Sequence, residues 1–430
     1  MNEDDDTTVL HEIKKQQKII ETIQSHKMKT IGGVNNIIKI VEKFIKKEKL
    51  ICYGGTALNN MLPETSQFYT NVDIPDYDFF SPDPIKHAKV LADLFFEKGY
   101  IDVEAKAGVH AGTYKVFVNF LGIADITYLP QNLFTKLQKE CSVKNEILYV
   151  PPNYLLMMIF NELSSPNGNI SRWEKVYKRF SLFIKYYPLQ VGSCVMNQKP
   201  TNSEKNIYDI IKQFSSKNND LVLLGAHARE LYKIVEDDVD CIFISKDFEQ
   251  STKLLILLLW KHTKNIDVKK HPEFYEFLPE HYEILVDNKT VAIIFDEFNG
   301  QCYNYNRVNK LNIATTDTLL TIYLLFFYMD KPYLPAYFYL CKSKQLFFIQ
   351  QQNKNNNSGV FKRFSLPCIG NQFTLQDVKK LKKKKYHELK SKKHTDEYEK
   401  WFLAYSPMKK EKHGKKSKKS KIDFSTLKIV

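Results

Sequence analysis

Two short stretches constrain this fold more than anything else in the chain: "LICYGGTALNNML" (50–62) and "PDYDFF" (75–80). In the first, an apolar run ends at Gly54 and Gly55, and helix-forming sequence begins at Thr56. That is a strand turning sharply into a helix, with glycines where backbone must pass close to something. In the second, Asp76 and Asp78 lie one residue apart in an extended apolar run. Side chains of a strand alternate between faces, so the two carboxylates share a face. Two carboxylates side by side repel unless a cation neutralises them. Mg²⁺ and similar hard ions take carboxylate oxygens and keep some of their water.

A third acid comes from "TYKVFVNF", "LG" and "IADITYL" (113–129), which read as a β-hairpin. Asp125 stands among Ile123, Ala124 and Ile126, so its charge needs a partner. Asp76, Asp78 and Asp125 are therefore the expected catalytic and metal-binding set, able to clamp two divalent ions. Gly54, Gly55 and Thr56 are the expected nucleotide-binding turn, since a helix N-terminus offers N–H groups to a phosphate and Thr56 a hydroxyl donor.

The surrounding pattern predicts an α/β (α+β mixed) fold, a mixed sheet flanked by helices. "NNIIKIVEKFIKKEK" and "PIKHAKVLADLFFEKGY" have one apolar face at helical spacing. Length supports two or three domains: 430 residues, 43% hydrophobic and 13% aromatic. The expected divisions are N-terminal helices at 1–48, a catalytic domain at 49–195, a second domain at 205–375 and a Lys-rich, partly disordered tail at 376–430. That tail is read from residue 377 onward: it carries 19 Lys against 7 acidic residues, +12 of the chain's +14. A basic end on a near-neutral body suits a polyanion.

The N-terminus "MNEDDD" lacks a secretory pattern, and "TLLTIYLLFFYM" (318–329) is too short to span a bilayer, so no membrane is expected. Seven widely spaced cysteines without a CxxC pair give no zinc site or disulfide framework, which suits a reducing compartment. His110, a lone histidine before the hairpin, reads as structural.

An internal echo follows. "LVLLGAHARELY" (221–232), the segment 237–265 and "HYEILVDNKTVAIIFDEF" (281–298) repeat the layout of the first module. Asp238 and Asp240 form a second DxD, but Gly225 is followed by Ala226, and the position matching Asp125 falls near Ala292. The second module is expected to be a degenerate, inactive copy.

"YGGTAL", "PDYDFFSP", "VHAGTYKVFVNF" and "IADITYLPQNLF" resemble the catalytic segment of poly(A) polymerases of large nucleocytoplasmic DNA viruses, within the polymerase-β-like nucleotidyltransferases. The resemblance covers roughly residues 50–190. It implies a nucleotidyltransferase core followed by a degenerate companion domain. It also implies addition of AMP from ATP to RNA 3′ ends with two Mg²⁺ or Mn²⁺ ions. "SRWEKVYKRF" is similar to the family's basic helix, which implies phosphate contacts for Lys175, Lys178 and Arg179. The resemblance further implies ATP and the RNA 3′ end as partners, a homodimer or a processivity subunit, and a location in the virion and host cytoplasm. Two rival readings remain open: a nucleotidyltransferase acting on another acceptor (tRNA, protein or small molecule), and a non-catalytic RNA-binding subunit.

Overall fold

The computed structural model describes residues 11–13, 15–17, 19, 20, 33–69, 76–192, 194, 199–234, 239–393 and 395–407. They form two compact units, one from the chain up to 151 together with residues from 384, the other from 152–383. The boundary expected near 195 thus falls inside the second unit. The part of the tail expected to be disordered, and Asp238, lie outside the described residues.

The first unit opens with helix Val34–Glu48, whose buried face is Val34, Ile37, Val41, Phe44 and Ile45. Lys49 stops it in the left-handed conformation at φ 52. Strand β1 (Ile51–Tyr53) follows and passes directly into helix Gly54–Met61. β2 (Tyr77–Ser81) leads to helix Pro84–Glu97, begun by Asp83, whose carboxylate accepts the Lys86 N–H at 3.3 Å. Then come β3 (Val103–Ala107), β4 (Thr113–Val118), β5 (Leu121–Tyr128), helix Gln131–Glu140, β6 (Ser142–Lys144) and β7 (Ile147–Tyr149). β3 is absent from the expected element order, because "VEAKA" carries too few β-branched or aromatic residues to mark it. In the sheet, the order is β3-β4-β5-β2-β1-β7-β6, with β2 parallel to β5 and β1 parallel to β7.

The β4–β5 turn is Asn119-Phe120, both at positive φ, and not the Leu121-Gly122 pair expected from the sequence. The left-handed pair matches the twist of a two-residue hairpin. A register shift between Val116 and Phe117 adds one residue to β5.

Part of the basic C-terminal region is structured in this unit. Thr395 caps helix Asp396–Phe402, and strand Ala404–Tyr405 pairs with β3. Trp401 and Leu403 are buried, the Tyr114 hydroxyl donates to the Lys400 carbonyl at 2.8 Å, and Lys89 pairs with Glu399 at 2.6 Å.

The second unit contains helices Pro152–Leu163, Trp173–Phe183 and Asn202–Lys217, then β8 (Leu221–Leu223), helix Ala226–Leu231, β9 (Cys241–Ser245), helix Phe248–Leu259, β10 (Ile266–His271), β11 (His281–Val286), β12 (Lys289–Phe295), β13 (Tyr303–Val308) and β14 (Leu311–Ala314). The apolar run at 318–329 sits in the almost wholly buried helix Thr316–Met329. That helix is packed by aromatic contacts such as Phe326 with Tyr339 at 4.9 Å and Tyr154 with Tyr328 at 4.9 Å. Among the described residues, no helix is long and apolar enough to cross a membrane.

The duplication is visible strand by strand. The second sheet runs β10-β11-β12-β9-β8-β14-β13, the first order with each number raised by seven, and with the same parallel pairs. Both hairpins carry the extra residue at the same place, Val116/Phe117 in one and Ile284/Leu285 in the other. Asp247 caps the helix after β9 as Asp83 does after β2.

The register corrects the alignment read from sequence. Tyr53 faces Asp78 and Asp78 faces Asp125; in the copy, Leu223 faces Phe243, which puts Leu224 opposite Ile242, and Ile242 faces Ile293. Asp240 therefore stands where Asp76 does, Ile242 replaces Asp78 and Ile293 replaces Asp125. Matching Asp238 and Asp240 to Asp76 and Asp78 is thus two residues out of register, and matching Ala292 to Asp125 one residue out: β2 begins just after Asp76, and β9 just after Asp240.

The cysteine expectation is also corrected. Cys194 is bonded to Cys341 and Cys302 to Cys368, with Cα–Cα distances of 5.7 and 5.4 Å, both within the second unit. The partners are 147 and 66 residues apart, so no local spacing announces them.

Candidate active site

Gly54 is at φ +73, a conformation that strains any residue with a Cβ. It is also where the Asp78 side chain sits: a Cβ added to Gly54 would run into the carboxylate oxygen, with the carboxyl carbon at 3.0 Å. The glycine therefore makes room for the acid as well as for the turn. Gly55 occupies the first turn of helix Gly54–Met61. Thr56, expected as a donor to nucleotide, is buried, and its hydroxyl donates to the Asp76 carbonyl at 2.6 Å. It ties the helix to the start of β2 and fixes the backbone that carries Asp76. Asn59 accepts the N–H groups of Phe68 and Tyr69 at 2.9 and 2.8 Å, holding the segment after the helix. Tyr53 stacks on Phe80 at 4.0 Å and its hydroxyl meets that of Thr127 at 2.8 Å, which locks β1 and β5 around β2.

Asp76, Asp78 and Asp125 come together as the sequence suggested: each offers a carboxylate oxygen, and these oxygens lie within 4.8 Å of one another. β2 and β5 are parallel neighbours with Asp78 opposite Asp125, while Asp76 is two residues before Asp78 and shares its face. Ala124 and Ile126, on either side of Asp125, are buried, so β5 cannot yield without opening the core. The Asp76 carboxyl is held above its ordinary value by desolvation, then by the Asp125 charge, while Lys115 works the other way. Asp76 is open to solvent on one side, so the Asp125 charge is the more telling cause for the site. Its repulsion is what a bound cation would relieve. Three converging oxygen donors of this kind, Asp78 and Asp125 half-buried and Asp76 exposed, fit a hard divalent cation.

Lys115 was not anticipated. It lies opposite Asp125 across the β4–β5 pair and its ammonium is in direct ion-pair contact with the carboxylate. Counting back from the Asn119-Phe120 turn without a bulge would set Lys115 against Ala124. The extra residue in β5 is what brings it to Asp125, and sequence alone does not show a bulge. Cys52, in β1, is buried, and its thiol is pushed well up first by burial and then by the Asp78 charge, so it is no nucleophile. His110 is exposed in the β3–β4 turn.

Lys175, Lys178 and Arg179 belong to the second unit, on helix Trp173–Phe183. Lys178 pairs with Glu174 at 2.5 Å. The Lys175 ammonium is lowered by desolvation and then by Arg179 and Arg172, so these side chains form one basic cluster beside Glu162.

At the position of the acidic cluster, the second unit has a built-in cation. Arg229, buried, binds the Asp240 carboxylate with both terminal nitrogens, one at 3.1 Å, and reaches the Tyr323 hydroxyl at 2.9 Å. With isoleucines in the other two positions, the copy keeps one of the three carboxylates, and Arg229 already occupies it.

Residues 39–169 match the family described as "Poly(A) polymerase catalytic subunit". This stretch contains the Gly54 turn and all three aspartates. Among curated proteins, one from African swine fever virus (isolate Pig/Kenya/KEN-50/1950), described as a poly(A) polymerase catalytic subunit, is 35% identical over 161 residues, 36% of this chain and 34% of its own. One from Acanthamoeba polyphaga mimivirus, described likewise, is 32% identical over 165 residues, 37% of this chain and 28% of its own. The match thus spans about a third of the length of these relatives, which come from large DNA viruses. Over most of the chain the fold is that of a solved structure, the Megavirus polyadenylate synthase: TM-score 0.76, 20% identity, covering 93% of this chain and 85% of the other.

Proposed function

We propose that the first unit transfers AMP from ATP to the 3′ hydroxyl of RNA, as a template-independent polynucleotide adenylyltransferase. The observation that carries this reading is the meeting of Asp76, Asp78 and Asp125 beside the Gly54 turn. In this reading Asp76, Asp78 and Asp125 would together hold the divalent ions that serve the nucleotide's phosphates and the RNA hydroxyl. Bound Mg²⁺ or Mn²⁺ would lower that hydroxyl's pKa and offset charge on the leaving pyrophosphate. The chain's own contribution is placement. Thr56 fixes the Asp76 backbone, Gly54 clears space for Asp78, and buried neighbours hold Asp125 rigid. The backbone of Gly54 and Gly55 receives the phosphates at the helix start.

The names and segment similarity of the viral relatives support poly(A) addition and the choice of ATP. The basic cluster of Lys175 and Arg179, with Lys178, is proposed for RNA phosphates, together with the lysine-rich C-terminal region. A homodimer or processivity subunit and a place in the virion or host cytoplasm are proposals on the same footing.

Primer extension tests the reading. The full chain with Mg²⁺ or Mn²⁺, an oligo-RNA and each NTP separately should lengthen the primer with ATP, and the Asp78→Asn variant should not. No extension with any NTP overturns the reading; transfer to tRNA or protein alone would move it to another acceptor.

A further inference from the structure

The two copies of the fold treat the same corner of the sheet differently. In the second, Arg229 is the permanent counter-ion of Asp240: its side chain is 2% exposed and its guanidinium holds both carboxylate oxygens. In the first, Lys115 meets a single Asp125 oxygen from a side chain 37% exposed, against 17% for the acid. An ammonium on a long, half-open stem makes a replaceable contact, whereas a buried bidentate guanidinium does not.

The shared register adds an internal control. Glu283 occupies the place of Lys115, just as Ile293 occupies that of Asp125: Glu283 faces Ile293 as Lys115 faces Asp125. Glu283 has taken other partners, the Thr290 hydroxyl at 2.6 Å and the His271 ring at 2.9 Å. The lysine and the aspartate are thus present together in one copy and missing together in the other. A lysine kept only for solubility or for strand pairing would have no reason to follow the acid. The bulge common to both hairpins rules out a mere register accident. Across its other edge Lys115 faces Lys106, so among its two cross-strand neighbours Asp125 is the one anion.

We propose that Lys115 is a displaceable counter-ion for Asp125: it neutralises and positions this carboxylate until a divalent ion takes its place. It is a positioning residue. Its use is to let three carboxylates within 4.8 Å coexist in the folded chain before an ion arrives. Its cost is that every ion must expel it. The inference rests on the proposed metal site, but not on which acceptor or nucleotide is used.

The test measures Mn²⁺ binding without nucleotide, by the loss of free-ion EPR signal, on the full chain and on Lys115→Met and Lys115→Arg. Removing the competitor should tighten Mn²⁺ binding by about fivefold in Lys115→Met, the value of a part-exposed ion pair. Lys115→Arg, with a guanidinium able to hold both oxygens, should bind Mn²⁺ more weakly than the parent. The ion-free melting temperature should fall in Lys115→Met and recover with Mn²⁺ by a larger rise than in the parent. Lys115→Met binding Mn²⁺ equally or more weakly overturns the proposal, as does Lys115→Arg binding more tightly. Should one variant not fold, the other still decides. A parent chain that takes up no Mn²⁺ would sink the metal site itself, whereas a parent that binds it with the wrong order among variants sinks only the role of Lys115.

Discussion

Gly54→Ala is the sharpest perturbation of the account, because two separable penalties meet at one atom. The first is conformational: at φ +73 an alanine costs about 1–2 kcal/mol relative to glycine. The second is steric. The new methyl would occupy the space of the Asp78 carboxylate, with its carboxyl carbon at 3.0 Å. Forcing a group into an occupied site costs about 1–3 kcal/mol, or moves the neighbour. Here the neighbour is the proposed metal ligand, and a shift of about 1 Å is enough to cost roughly a hundredfold in rate.

Gly33 separates the two terms. It has φ +62 and open space around its would-be Cβ, so Gly33→Ala carries the backbone penalty alone. Chemical denaturation of both variants should show Gly54→Ala the less stable by about 1–3 kcal/mol. Primer extension should fall at least a hundredfold for Gly54→Ala and stay near the parent's for Gly33→Ala. Equal destabilisation of the two, or Gly54→Ala activity within threefold of the parent, would refute the reasoning about the glycine.

Other outcomes follow from the same geometry. Thr56→Val removes a buried donor and leaves the Asp76 carbonyl unserved; it should cost about 1–3 kcal/mol in denaturation and lower kcat more than it changes KM for ATP. The raised Asp76 carboxyl has a signed consequence for pH. Its native form takes up a proton more readily than the unfolded form, so the ion-free chain should gain stability as pH falls through the raised value toward the ordinary 3.8, while metal binding is lost over that range. Lys342 is buried near Arg229 and its ammonium is lowered to about 7. Stability should therefore rise with pH from about 7 toward 10, and Lys342→Met should raise the melting temperature at pH 7 and flatten that slope. Arg229→Met strands the Asp240 charge and should destabilise by about 2–4 kcal/mol without creating a metal site, since Ile242 and Ile293 supply no oxygen.

Much of the site was legible because strand parity is strict. Asp76 and Asp78 share a face whatever their neighbours do, and an aspartate among Ile123, Ala124 and Ile126 demands a cation. Helix Val34–Glu48 was equally plain, since its five buried residues recur at helical spacing. What failed was everything that depends on register or on distant chain. The hairpin turn lies at Asn119-Phe120 and its bulge at Ile123, beyond the paired residues Leu121 and Gly122, and together they decide that Lys115 meets Asp125. Neither leaves a compositional mark. The second acidic pair misled because a DxD motif does not say which of its aspartates stands next to the strand: in the copy it is the second, Asp240, immediately before β9, whereas in the first module it is Asp76, immediately before β2. Cys194 and Cys341, at a separation of 147 residues, were beyond any spacing rule.

The most direct measurement is anomalous diffraction from crystals of the full chain grown with Mn²⁺ and a non-hydrolysable ATP analogue. Strong Mn²⁺ peaks about 2 Å from oxygens of Asp76, Asp78 and Asp125, with the triphosphate reaching the Gly54–Gly55 backbone, are the expected result. Mn²⁺ bound elsewhere, or peaks that leave Asp125 uncoordinated with the nucleotide in place, would contradict the account.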